Sequence, residues 1–354
     1  MFMKAISRRR SLAGAALVLL STSVLTPAFA QETAKSDVLE LKVAVADANV
    51  NPVTDSVLKL ADTLGYYKNH GVHVTIVALE GTPQAVAALN SGAVDLADIG
   101  IDAALRLRAD NDVAIRGVVS ATLGPPYLIV AKSDIAKADN LVGRTFAIAD
   151  NGSLDHNLTQ QVLASMGVAR DGPRYVTIGA PAARVQALAA GQVDATTVSY
   201  GSFLPISNTP GLAVIVSPED FFKAAPIQSK FLAGLEPTLK DKHEAIQRFV
   251  DALVDISRHY DGDAPDWVKA MTKARDDLSE ANLTATSKFL VDRWCVNGCL
   301  NVDYIQKTAD FIYAGPDFKD VRVIPASDVT DESFVKGAIA DVGAYKDGGI
   351  DARP

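Results

Sequence analysis

At residues 85–95 the chain reads AVAALNSGAVD, and at 184–194 it reads RVQALAAGQVD. The two align without a gap at an offset of 99 residues, matching at Val86/Val185, Ala88/Ala187, Leu89/Leu188, Gly92/Gly191, Val94/Val193 and Asp95/Asp194. Just upstream, Gly81-Thr82-Pro83 corresponds to Gly179-Ala180-Pro181 with one residue of slippage. In each copy a small residue or threonine caps a helix and proline sits in its first turn, where a missing N–H costs nothing. Val86 and Leu89, like Val185 and Leu188, share one apolar face. Gly92 and Gly191 stop the helix where a left-handed conformation is needed. The Val-Asp that follows opens a strand. A solenoid would repeat every 20–50 residues or so, so a repeat at 99 predicts two similar α/β lobes instead.

Outward from the repeats, residues 41–45 alternate as a first strand, 54–64 read as a helix closed by Gly65, and VHVTIVAL (72–79) is a strand. With the first repeat, the helix 103–109 and IRGVVSAT (115–122), the first 120 residues alternate strand and helix. That order predicts a mainly parallel sheet covered by helices. Gly124-Pro125-Pro126 breaks the rhythm and forces extended chain. YLIVAKS (127–133) opens a second α/β run, which contains RTFAIAD, a helix over 154–166, RYVTIGA and the second repeat. Residues 205–218 read as irregular apart from LAVIVS, and QSKFLAG (228–234) is a further apolar segment. Helices are predicted over 239–260, 265–273, 280–294 and 303–315, and the Gly-rich end as a loose surface segment. The expected class is α/β, two-lobed, with lobe 1 at 37–122 plus 228–354, lobe 2 at 123–227, and crossovers near 124–127 and 226–230.

Lys4 and Arg8–Arg10, the apolar run 12–25 and Ala28-Phe29-Ala30 make residues 1–30 a signal peptide. Ser7-Arg8-Arg9-Arg10-Ser11-Leu12 also resembles a twin-arginine signal, so either export route is open and the expected location is the periplasm. Removing four basic residues and no acidic ones leaves 30 against 42, a net charge of −12. An acidic surface argues against nucleic acid and anionic lipid as partners. Cys295 and Cys299, in WCVNGC, read first as a local disulfide across the Asn297-Gly298 turn, with a pair of metal ligands or a redox site as alternatives.

The stretches GYYKNHGVHVTIVALEGTPQAVAALNSGAVDLADIG (65–100), PPYLIVAKSD (125–134), LVGRTFAIADNGS (141–153) and ARVQALAAGQVDATTVS (183–199) resemble periplasmic substrate-binding proteins of ABC transporters. The nearer resemblance is to the nitrate, sulfonate and taurine binders and the NMT1/THI5-like group of pyrimidine-precursor binders. It implies a periplasmic-binding-protein-like (type II) fold, with a ligand held in the cleft between lobes and delivered to a membrane permease and its ATPase. A monomer without cofactor is expected.

The residues lead to the same cleft. In open α/β sheets ligands sit beyond the carboxyl ends of the strands, where helix N-termini aim free N–H groups outward. Those ends fall at 47–49, 80–82, 100–102, 120–122, 150–153, 179–180 and 199–201. The candidate ligand-binding residues are Asn49, Gly81, Thr82, Asp102, Tyr127, Asn151, Gly152, Ser153 and Tyr200. These loops contain Asp47, Glu80, Asp102 and Asp150 but no lysine or arginine, and His156 is the one nearby candidate cation. The expected ligand is therefore a small solute bearing an amine or ring nitrogen, taurine-like or aminopyrimidine-like. Catalysis is not expected. None of the five histidines lies in H-E-x-x-H, and no serine in G-x-S-x-G. Asp261-Gly262-Asp263 lacks a full calcium loop, so no metal ligand is expected. The alternative functions are a periplasmic sensor for a membrane receptor and a pyrimidine-precursor synthase-like enzyme.

Overall fold

The computed structural model describes residues 38–45, 49–79, 81–345 and 349–351. The signal-peptide reading of 1–30 and the loop residues Asp47 and Glu80 lie outside the described residues. Among the described residues ten strands form two five-stranded sheets: β1 Leu39–Val45, β2 Val72–Ala78, β3 Leu96–Gly100, β4 Ile115–Val119, β5 Tyr127–Lys132, β6 Thr145–Ile148, β7 Arg174–Thr177, β8 Ala195–Ser199, β9 Leu212–Val216 and β10 Lys230–Leu235. The first sheet is ordered β2-β1-β3-β10-β4 and the second β7-β6-β8-β5-β9. Position by position the two orders are the same, with β3 and β8, the strands of the two repeats, at the centre. In each sheet the strand between the repeat strand and the edge runs antiparallel to its neighbours: β10 in the first, β5 in the second. These are the strands on which the chain enters a sheet from the other one. The sheets are mixed, with parallel pairs on the repeat side.

The shared Gly-x-Val-Asp has the same structural meaning twice. Gly92 and Gly191 end their helices at φ +70° and +73°, a conformation that suits a residue without Cβ. Val94 and Val193 are buried. Asp95 and Asp194 then clamp the neighbouring parallel strand. Asp95 Oδ2 accepts from Lys42 N at 2.8 Å, and Asp194 Oδ2 accepts from Thr145 N at 2.9 Å. Each aspartate's own N–H donates back to the same residue's carbonyl oxygen at 2.9 Å.

Period-two burial on β5 divides the second lobe's core. Tyr127, Ile129 and Ala131 join one apolar cluster, and Leu128 and Val130 join another. Both faces are covered by helices, so the strand reads as a continuous apolar run. The C-terminal helices pack with the first sheet in one large core that includes Trp267, Tyr260, Phe249 and Phe334. Among the described residues no helix is long and apolar enough to cross a membrane.

Two local expectations are corrected, and one segment without a sequence assignment is helical. The helix expected to reach residue 294 stops at Phe289, and the 218–224 segment after the irregular stretch is a helix capped by Ser217. The described part of the C-terminal stretch is not loose. Ser333–Val342 is a helix that buries Phe334, Val335 and Ala338, and Asp351 Oδ2 accepts from Asn297 N at 2.6 Å. Cys295 and Cys299 form a disulfide, buried with Leu123 and Tyr304.

Candidate functional site

A cleft lies between the two sheets at the edge where β3 and β8 end and where β5 and β10, being antiparallel, begin. Gly100 and Ser199, one repeat offset apart, end the two repeat strands; Lys230 pairs with Gly100, and Tyr127 with Ser199. Lys230 and Tyr127 are therefore equivalent positions of the two sheets, and both line the cleft. Arg184 lines it too, from the first turn of the helix Pro181–Ala189. Its counterpart in the first repeat is Ala85, which is also buried.

Arg184 is only 3% exposed. Nη1 donates to Gly179 O at 2.6 Å and Nη2 to Thr197 O at 3.3 Å, with Asp155 Oδ2 3.7 Å away. Its buried Nε has no hydrogen-bond partner among the described residues. Across the cleft Lys230 Nζ stands 2.9 Å from Asp98 Oδ2. Tyr127 lies within the field of both pairs. Burial pushes its phenol up to about 12, with Lys230 and Arg184 opposing, so the hydroxyl keeps its proton at neutral pH.

The carboxylates of the cleft are already engaged within the protein. Asp155 accepts from Ala149 N at 3.0 Å and from Ser153 Oγ at 2.7 Å. Asp55 Oδ1 accepts from Asn51 N at 2.5 Å, and Asp98 holds Lys230. The open capacity is on the donor side: the Tyr127 hydroxyl and the N-terminal turns of the helices Thr82–Asn90 and Leu154–Ser165, with the Arg184 guanidinium in the cleft wall. Helix N-termini carry partial positive charge. The arrangement suits an acceptor, most simply a small anion. This corrects the expectation of a cleft without basic side chains and, with it, the argument for an amine-bearing ligand. His156 is not the cation of the site. It lies outside the cleft lining, its Nδ1 accepts from Gly152 N at 3.1 Å, and burial holds its pKa below the usual histidine value.

Of the residues proposed from sequence, Gly81, Thr82, Tyr127 and Ser153 line the cleft. Ser153 is committed to positioning Asp155. Asn49 lines a separate cavity. Asp102 lines another small cavity, where burial raises its pKa and Oδ2 accepts from Asn157 Nδ2 at 2.8 Å. Asn151 and Gly152 form an exposed turn. Tyr200 turns away and stacks on Phe289, with ring centroids 5.0 Å apart. Strand-end reasoning passes over Arg184, which sits inside a helix, and Lys230, which starts a strand. The repeat itself held a signal for Arg184: a charged residue stands where the twin copy has alanine.

A protein-family model described as NMT1/THI5 like matches residues 56–255. A search by sequence among curated proteins matched none. Among solved structures, a protein of Bordetella bronchiseptica RB50 is similar with TM-score 0.74 at 18% identity, covering 87% of this chain and 99% of that one. The alkanesulfonate-binding protein SsuA from Xanthomonas axonopodis pv. citri, bound to MOPS, is similar with TM-score 0.66 at 21% identity, over 83% and 98% of the two chains. The desulfurization enzyme DSZB has TM-score 0.59 at 14% identity, over 86% and 99%. At these identities the likeness is one of fold.

Proposed function

We propose, since the chain belongs to the NMT1/THI5-like family, that it is the solute-binding component of an ABC import system. In this reading it works in the periplasm as a monomer and hands its ligand to a membrane permease with its ATPase. The lobes are 37–122 with 228–354, and 123–227, and they close on the ligand about the two crossing segments. The ligand is a small organic anion, a sulfonate or carboxylate. The observation that carries this is the buried Arg184 guanidinium in the wall of a cleft whose carboxylates are already engaged. The similar alkanesulfonate-binding protein supports the same chemistry. An enzyme shares this fold; in the present reading the Ser153 hydroxyl, which bonds both Asp150 O and Asp155, serves the helix N-terminus and not catalysis.

A thermal-shift screen with taurine, alkanesulfonates, nitrate, aromatic carboxylates and aminopyrimidines tests the reading. A ligand at 100 times its Kd adds about 2.7 kcal/mol to stability, which moves the melting temperature by several degrees. Stabilisation by anions is expected. Arg184→Met should weaken binding about 10- to 100-fold, the range for a lost charge-assisted hydrogen bond. Tyr127→Phe should weaken it less, by about threefold to tenfold. Stabilisation by aminopyrimidines alone would sink the anion reading.

A further inference from the structure

The binding cleft has a neighbour. A second cavity is bordered by Asn49, Ala182, Val185, Gln186, Pro205 and Arg275. Ser202 lines both spaces, Ser199 lines the cleft, and Asn51 lines the second cavity. These three side chains are bonded to one another. Asn51 Nδ2 donates to Ser199 Oγ at 3.0 Å and to Ser202 Oγ at 2.9 Å, and the two hydroxyls are 2.9 Å apart. They meet across the chain's two halves: Asn51 follows β1 of the first sheet, and Ser199 ends β8 of the second.

Each side of this contact is held in place. Asn51 Oδ1 accepts from Val53 N at 3.0 Å and Thr54 N at 3.2 Å, which fixes the amide's orientation. Ser199 Oγ caps the helical turn 200–203 by accepting from Ser202 N at 3.1 Å. Gly201 lies so close that a Cβ there would collide with Asn51 Oδ1. The wall also stands near the proposed anion site. Arg184 Nη2 reaches Thr197 O, and Ser199 is two residues further along the same strand, about 7 Å at the usual rise.

We propose that Asn51, Ser199 and Ser202 form the end wall of the binding cleft and limit the length of the ligand, with the second cavity as the space shut off behind it. This rests on the reading of the cleft as the anion site. A ligand whose acidic head sits at Arg184 extends its tail until it meets the wall. A longer tail enters the second cavity only by displacing the Asn51 amide from both hydroxyls.

The test is isothermal titration of linear alkane-1-sulfonates, from methane- to octanesulfonate, into the wild type, Asn51→Ala and Ser202→Ala. The wild type should show a fall in affinity of about tenfold or more beyond a particular chain length, as expected for losing two hydrogen bonds. In the variants that fall should move to chains longer by two or more carbons, so that the ratio of long-chain to short-chain affinity rises about tenfold. Ser202→Ala keeps the test informative if loss of the Asn51 turn bonds impairs folding of the other variant. An unchanged chain-length profile in the folded variants would overturn the length limit alone. Failure of every sulfonate, and of the linear alkane carboxylates titrated alongside, to bind the wild type would overturn the anion reading, and the length limit with it.

Discussion

The repeat aspartates show what one side chain can do for a sheet. Asp95 and Asp194 each satisfy a backbone N–H of the neighbouring strand and attract a lysine, Lys242 and Lys132 respectively, at 2.8 Å. Burial alone would push Asp194 up, but hydrogen bonds from Lys132 and from the Thr145 hydroxyl and amide bring it down to about 2. A carboxylate depressed in the folded state stabilises above its unfolded pKa, near 3.9, and the contribution disappears as pH falls through the folded value. Asp194→Ala should cost about 1–3 kcal/mol at neutral pH, since it orphans the Thr145 N–H. Asp95→Ala should behave similarly through Lys42. Urea unfolding would show both midpoints falling; a change under about 0.5 kcal/mol in either, within the range of an ordinary surface substitution, would contradict the clamp.

At the scale of elements, the C-terminal segment is a strap. The helix Ser333–Val342 packs Phe334 and Val335 into the core, and the chain beyond it returns to the disulfide loop. Asn297 Nδ2 donates to Tyr345 O at 3.0 Å and to Gly349 O at 3.1 Å, while Asp351 accepts from the Asn297 and Cys299 amides. Burial lifts the Asp351 pKa to about 6, against the lowering effect of those amides and of Arg258. The folded value lies above the unfolded one, so the protonated carboxyl is the form the fold prefers. Its stabilising contribution is complete below about pH 4 and is lost as pH rises through about 6. Asp351→Asn, neutral throughout, should gain on the wild type across that window by an amount on the order of 2 kcal/mol. Melting curves of both proteins from pH 4 to 8 test this, and parallel curves would count against it.

At the scale of the whole molecule, the two crossings between sheets are joined by one buried residue. Gln228 Oε1 accepts from Gly124 N at 2.9 Å, and its Nε2 donates to Thr122 O at 2.8 Å and Lys230 O at 3.1 Å. In the proposed closure, this joint lets the two halves move while the strands at their meeting edge stay in register. Gln228→Ala strands the Gly124 N–H and should lower stability by about 1–3 kcal/mol. The same change should weaken ligand-driven closure. Small-angle scattering of the wild type should show a smaller radius of gyration with a stabilising sulfonate than without it, and Gln228→Ala a reduced difference. Equal contraction in both proteins would remove Gln228 from the hinge.

The duplicated helix–Gly–Val-Asp unit was legible in the sequence because its parts act locally. A left-handed glycine, a buried valine five residues after the matched helix leucine and a strand-opening aspartate all follow from spacing along the chain. From that unit came the two α/β halves and the edge at which a cleft would form. The chemistry of the cleft was not legible, because it depends on contacts remote in sequence. Lys230 reaches the site only because β10 enters the first sheet antiparallel, bringing the start of one strand to the end of the others. Arg184 joins the cleft lining only through the rotation of its helix toward Thr197 and Asp155. Asn51 and Ser199, 148 residues apart, become a wall only when the two halves meet. Local pattern determines which elements form and which face they bury; which charges face one another is decided by the packing of whole sheets.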